Sequence, residues 1–287
     1  MNAFTVDVED YYHVSAFEHA ISRSSWGSFE SRVVANTQRL LALLARHNVL
    51  GTFFILGWVA ERFPGLVREI VASGHEVGSH SYWHRLIYET TPAEFREDLR
   101  RSIGVIENAA SVKVTRYRAP SFSITRRSLW ALEILVEEGI EVDSSIFPVR
   151  HGRYGIPDAE PSVHIRCTPA GPLTEFPPSV ACLWGMHLPA GGGGYFRLYP
   201  YRIMRALLRR INRTEQRPFT FYIHPWEVDP EQPRLGVGSR FSQFRHYVNL
   251  ASTERKLERL LGDFSFGPMS EVFANHEMLT VAAVPAR

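Results

Sequence analysis

Hydrophobic positions recur along this chain with two periods, and the periods take turns. "AFTVDVED" (3–10) sets apolar residues at every second place and ends in acids at 7, 9 and 10, which predicts a short strand leaving a core. "VVANTQRLLALLARH" (33–47) spaces Val33, Leu40, Leu41 and Leu44 along one face of a helix. "GTFFILG" (51–57) is an uninterrupted apolar run between glycines, as expected of a strand covered on both faces. "VAERFPGLVREIVASG" returns to the helical period and stops at Gly74, and "HEVGSH" (75–80) predicts a third strand. "TPAEFREDLRRSIGVIENAA" (91–110) is a helix with Thr91 as N-cap, Pro92 at the first helical position and Glu94 in the first turn. "VTRYRAPS" is a strand cut off at Pro120, "TRRSLWALEILVEEG" a helix capped by Thr125 and ended by Gly139, and "IEVDSS" another strand.

From about 147 to 198 the pattern weakens among prolines and glycines, so short strands and long loops are expected there. These either shape a cleft or merely connect. "YPYRIMRALLRRIN" restores a helix, and "PFTFYIHPWE" is a buried strand with His224 at its exit. "STERKLERLLGDF" is a last amphipathic helix, capped by Ser252 or Thr253. Strand followed by helix, over and over with short connections, predicts a mostly parallel sheet with helices outside it, in barrel or doubly wound form. No repeat or low-complexity linker interrupts the series, so residues 1–287 read as one domain. Asp7, His80, Arg118, Asp143 and His224 all fall at predicted strand exits, the edge of a parallel α/β sheet where functional residues gather.

Composition narrows the classes. With 32 basic and 30 acidic residues the net charge is +2, too small to point to nucleic acid. Two cysteines, Cys167 and Cys182, form no CxxC pattern, so a reduced compartment is the simpler reading, with one disulfide left open. The N-terminus carries acids where an export signal needs basic and apolar residues, and no apolar run reaches the ~18 residues of a membrane span. A soluble, cytoplasmic protein without a transmembrane span is expected.

Within "SHSYWH", His80 and His84 stand four apart in a polar segment. An HxxxH pair is common and needs a carboxylate from elsewhere before it holds a cation. "DVED" offers Asp7, Glu9 and Asp10. Two imidazoles and one carboxylate with an open position describe a catalytic site for Zn²⁺ or a similar divalent ion. Strand alternation puts Glu9 on the face of Asp7, whereas an exit at Val8 favours Asp10, so both acids stay open as ligands. Trp83, Phe122 and Trp226 are candidates to line a sugar groove, against the alternative that they are core. His13, His19, His47, His75, His151, His164, His187, His246 and His276 show no partner logic and read as surface or structural.

"TVDVED", "SHSYWH", "RYRAPS", "DSSIFP" and "FYIHPWE" occur in the order of the five motifs of the NodB-type polysaccharide deacetylases, carbohydrate esterase family 4. The resemblance spans residues 4–227, with 228–287 as an extension. The opening "DVED" and "YRAPSFS" resemble the peptidoglycan deacetylase and allantoinase-like branch, and "FRHY" with "LLGDFSF" is similar to a bacterial subgroup found beside exopolysaccharide and exosortase systems. The resemblance implies a distorted (β/α) barrel of about seven strands and metal-dependent removal of acetyl groups from an N-acetylhexosamine glycan or its lipid-linked precursor. It implies Asp7 as general base, His80 and His84 as ligands of Zn²⁺ (or Co²⁺, Mn²⁺, Fe²⁺), and Arg118 holding the base. It further implies His224 as general acid, tuned by Asp143. Ser121 stands where many members carry an aromatic residue, though its backbone N–H is still available to an oxyanion. Two rivals remain: an allantoinase-like amidohydrolase, against which both histidines and several acids are retained, and a silent glycan-binding protein, against which Asp7 and His224 are retained.

Overall fold

The computed structural model describes residues 1–274 and 279–281. His276 and the rest of the C-terminal tail lie outside the described residues.

The strands are β1 (Asn2–Val8), β2 (Thr52–Ile55), β3 (Glu76–Ser79), β4 (Arg116–Tyr117), β5 (Val142–Asp143), the hairpin β6 (His164–Thr168) and β7 (Gly171–Glu175), a second hairpin β8 (Val180–Leu183) and β9 (Met186–Pro189), then β10 (Thr220–Ile223), β11 (Phe266–Gly267) and β12 (Leu279–Val281). Seven of them run parallel in the order β10-β1-β2-β3-β4-β5-β7. β6 lies antiparallel on β7, β12 joins β6, and β11 pairs with the beginning of β1. β1 is central: Thr5 lies opposite Tyr222 on one side and Thr52 on the other. A strand hydrogen-bonded on both edges and covered on both faces is buried along its whole length, and every residue of β1 is buried, with the polar Asn2, Thr5 and Asp7 each hydrogen-bonded within the protein.

Side chains from distant places in this order meet on the concave side. Ala3, Phe54, Val142 and Phe176 pack in one cluster with Met269 and Val272, and Arg118, at the exit of β4, reaches Thr5 on β1. The sheet therefore curls into a distorted, incomplete barrel, as expected, with helices on its outside.

The helices are α1 (Val33–Arg46), α2 (Gly57–Arg62), α3 (Pro64–Ala72), α4 (Pro92–Ala110), α5 (Trp130–Glu137), α6 (Gly193–Leu198), α7 (Tyr201–Arg213), α8 (Arg240–Tyr247), α9 (Leu250–Asp263) and α10 (Met269–Ala274). α1 buries Val33, Leu40, Leu41 and Leu44, the face read from its spacing, each side chain contributing about 1.5–3 kcal/mol relative to exposure. Thr91 caps α4 reciprocally: its Oγ accepts from Glu94 N at 3.3 Å and its own N–H donates to the Glu94 carboxylate at 2.8 Å.

Two boundaries differ from expectation. The helix read across Phe63 and Pro64 is two helices, because the proline ring forces the preceding residue out of helical geometry, and Phe63 sits at φ −128°, ψ 59°. α9 begins at Leu250, after Asn249 at φ 57°. Ser252 and Thr253 are inside its first turn, where their hydroxyls donate back to the Asn249 carbonyl.

Cys167 and Cys182 are free thiols. Among the described residues no helix is long and apolar enough to cross a membrane.

Candidate active site

The strand exits converge on a solvent-open cleft with a cavity volume of about 190 Å³, whose lining includes Asp7, Glu9, His80, His84, Ser121, Phe122, His224 and Trp226. Four separate segments of the chain thus deliver these side chains to one place.

Glu9, His80 and His84 are buried, and one ligand atom from each lies within 4.8 Å of the others. Glu9 Oε2 is 2.8 Å from His84 Nε2 yet accepts no hydrogen bond from within the protein, an orphaned carboxylate oxygen facing two imidazoles. His80 Nδ1–H donates to the Arg118 carbonyl at 2.8 Å, which leaves Nε2 as its free ligand atom. Burial, followed by the neighbouring His84, holds the pKa of His80 down at about 4 despite Asp7, so its ring is neutral at pH 7, as a metal ligand must be. Burial alone would raise the Glu9 carboxyl, but His84, and beyond it His224 and His80, pull it far below the carboxylate range. This donor set, the neutral imidazole of His80, the ring of His84 and an ionised carboxylate, all buried, fits a divalent cation with open coordination positions.

Asp10 is not in this group. β1 does end at Val8, but the chain then turns so that the Asp10 carboxylate accepts from Ser31 Oγ at 2.6 Å and from Arg32 N at 3.0 Å. It fastens the approach to α1, and burial raises its pKa to about 6.

The turn that carries the histidines holds two residues in left-handed conformation, Ser81 at φ 66° and His84 at φ 52°. Asp98 on α4 secures it by accepting from Tyr82 N at 2.7 Å, Trp83 N at 2.9 Å and the Ser81 hydroxyl. Trp83 itself faces away from the cleft lining and packs on Tyr82 and Trp26.

Asp7 and Arg118 form a buried ion pair, Nη1 to Oδ1 at 2.7 Å. The guanidinium also donates to Thr5 Oγ1 at 2.8 Å and to Ser144 Oγ at 2.9 Å, and lies over the Phe54 ring. The other oxygen of Asp7 is 3.8 Å from His224 Nε2.

His224 does not meet Asp143. Its Nδ1–H donates to Glu227 Oε1 at 2.7 Å, and Glu227 Oε2 accepts from Arg197 Nε at 2.5 Å. Burial would lower the pKa of His224, but the bond to Glu227 and its charge, with Glu9 and Asp7 behind, raise it to about 9. Burial would raise Glu227, yet Arg197 and then His224 hold it at about 2. Asp143 sits on β5, five places from β10 in the strand order, which is why it falls short. It accepts from Ser145 Oγ, which in turn accepts from Ala119 N at 2.8 Å, so it braces the turn after β4. Burial raises both its carboxyl and that of neighbouring Glu175.

Arg197 and Glu227 were not singled out in the sequence. The His-x-x-Glu spacing was a usable signal for Glu227, since three residues on is where a side chain returns to cap the segment. Arg197 had none. It reaches Glu227 because Gly192, at φ 127°, and Gly193 bring α6 against Tyr222, where a Cβ on Gly192 would stand 1.9 Å from the Tyr222 carbonyl. His246 and His151, expected at the surface or in structural positions, both line the cleft. The His246 ring stacks on Trp226 at 4.3 Å, and Trp226 stacks on His224 at 5.2 Å.

Residues 21–136 match the family described as polysaccharide deacetylase. Over these residues the chain is similar to polysaccharide deacetylases. Residues 144–274 match a second family, described as a domain of unknown function, DUF3473. The deacetylase segment supplies His80, His84 and Arg118, the second segment supplies Arg197, His224 and Glu227, and Asp7 and Glu9 precede both.

A peptidoglycan-N-acetylglucosamine deacetylase of Bacillus cereus is 34% identical over 98 residues, 34% of this chain and 36% of that protein. A chitooligosaccharide deacetylase of Bradyrhizobium is 29% identical over 99 residues, 34% of this chain and 43% of that protein. The chain thus spans less than half the length of these curated relatives. A solved structure from Mycobacterium smegmatis, assigned as a polysaccharide deacetylase, shares the fold with a TM-score of 0.63 at 21% identity, covering 99% of this chain and 93% of that one.

Proposed function

We propose that this protein is a metal-dependent hydrolase that removes N-acetyl groups from an N-acetylhexosamine-containing polysaccharide or its precursor. The observation that carries the reading is the meeting of an orphaned Glu9 oxygen, two histidines, an arginine-held Asp7 and an imidazolium on His224 in one cleft. Names of the matched relatives support the substrate class, and the "FRHY" and "LLGDFSF" tail supports a setting in exopolysaccharide synthesis.

Glu9, His80 and His84 would hold a divalent cation, with Zn²⁺ the first candidate, which when bound would supply Lewis acidity to the acetyl carbonyl and the attacking water. Asp7 accepts a proton from the attacking water, its carboxylate oriented by Arg118. His224 faces it and protonates the departing amine through Nε2, while Glu227 fixes Nδ1. In the turn after β4 the N–H groups of Arg118, Ala119 and Phe122 are bonded within the protein and Pro120 has none. The Ser121 N–H is the remaining donor for an oxyanion. Phe122 and Trp226 wall the cleft.

Acetate release from N-acetylglucosamine oligomers, measured beside the metal content of the purified protein, tests the reading. Chelation is expected to abolish release, and one equivalent of a divalent cation to restore it. Release that survives complete removal of metal, or none from metal-loaded protein on any N-acetylated glycan, would count against it.

The assignment of Glu227 gives a sharper expectation. Glu227→Gln removes the charge that lifts the His224 pKa, so the imidazolium deprotonates at lower pH than in the parent. The alkaline limb of kcat/KM should move to lower pH, and activity at pH 8 should fall about 10²-fold at equal metal loading. Asp143→Asn should leave that limb where it is. If the two variants exchanged these behaviours, the partner of His224 would be misassigned.

A further inference from the structure

The mouth of the cleft carries positive charge that the hydrolytic chemistry leaves unused. Arg153, in the loop after β5, and Arg245, on α8, both line it. Among the described residues neither guanidinium is paired with a carboxylate. Arg153 donates to the Ser15 carbonyl at 3.3 Å, and Ser15 Oγ is 3.4 Å from His84 Nδ1, so this charge stands two contacts from the candidate cation site. Arg245 acts on the Tyr154 hydroxyl, which is 3.3 Å from that of Tyr195. Burial, and after it the charges of Arg245 and Arg153, keep the His151 pKa below its ordinary value, an internal sign that the potential here is positive.

The acids of the described lining are Asp7 and Glu9, both buried at the floor and engaged there. Arg197, the third arginine of the lining, is neutralised by Glu227. A neutral oligosaccharide offers hydroxyls and acetamides, which leave two guanidinium forks to water. A carboxylate or phosphate fits a fork in bidentate fashion. We propose that the cleft selects an anionic glycan, one with a carboxylate or phosphate on or beside the N-acetylhexosamine, bound by Arg153 and Arg245. This rests on the deacetylase reading and specifies its substrate class.

Three probes test it: a neutral N-acetylglucosamine tetramer, an alternating N-acetylglucosamine–glucuronate tetramer, and N-acetylglucosamine joined through a diphosphate to a short prenyl chain. At low salt kcat/KM for at least one anionic probe should exceed that for the neutral tetramer about tenfold or more. The advantage should shrink as salt screens the rim. In the variant Arg153→Gln/Arg245→Gln, shown by its melting curve to be folded, the ratio should drop to within about twofold. A preference for the glucuronate probe identifies a carboxylate, and one for the diphosphate probe a phosphate; either supports the proposal. Equal rates on all three, or a preference untouched by the double substitution, overturns it. Calorimetric binding of the same probes to metal-free protein reads the rim without turnover. Arginine-dependent binding of an anionic probe with no acetate release anywhere would retire the deacetylase reading and leave the anion site standing. Failure of every anionic probe to bind would retire the site.

Discussion

Asp7→Asn is expected to reduce acetate release by about 10²- to 10⁴-fold while the protein still takes up one equivalent of cation. Asparagine keeps the size and planarity of the side chain and can still accept from Arg118, but it cannot take a proton from water. The ligand group of Glu9, His80 and His84 does not include Asp7, so metal content should not change. His80→Ala is the contrast. It removes an imidazole whose free Nε2 faces the candidate cation site, and both metal and activity should be lost. Elemental analysis beside the acetate assay separates the two. An Asp7→Asn protein with full turnover would leave the site without its base.

Arg118→Met is expected to destabilise the fold by about 3–5 kcal/mol, because it strands the buried Asp7 carboxylate without a countercharge. Arg118 is wholly buried, and Asp7 is 2% exposed. The substitution also releases Thr5 and Ser144 from their bonds to the guanidinium. Methionine has a similar length and no polar group, so packing over Phe54 is retained. Denaturant melts measure the loss. A second substitution, Asp7→Asn in the Arg118→Met background, should recover part of it, since the stranded charge is then gone. A loss below about 1 kcal/mol for Arg118→Met would mean that water reaches the pair and that it is not the buried clamp described above.

These expectations rest on features of unequal legibility. α4 was readable to its first residue, because Thr91, Pro92 and Glu94 act on backbone groups within one turn. The same holds for the apolar face of α1 and for the exits of β1, β3 and β10, whose polar residues follow directly on buried runs. Local chemistry is enough in such places. The break at Phe63 is also written locally, in Pro64, beneath a strong helical period.

The choice between Glu9 and Asp10 was of another kind. Both are acids beside one strand end, and the decision came from Ser31 and Arg32, which lie about twenty residues away and capture Asp10. Trp83 likewise follows a turn whose course is dictated by Asp98 on a different element.

The sequence by itself determined the alternation of strands and helices, the caps, and which strand ends carry reactive side chains, since all of these depend on neighbours within a few residues. The tertiary structure alone decided which of those side chains meet. Strand order and the curl of the sheet put β10 beside β1, so that His224 faces Asp7, and left β5 five places away, so that Asp143 braces a turn elsewhere; Arg197 comes from a glycine-rich loop to hold Glu227. Contacts between segments a hundred residues apart are set by topology, and no local period encodes that.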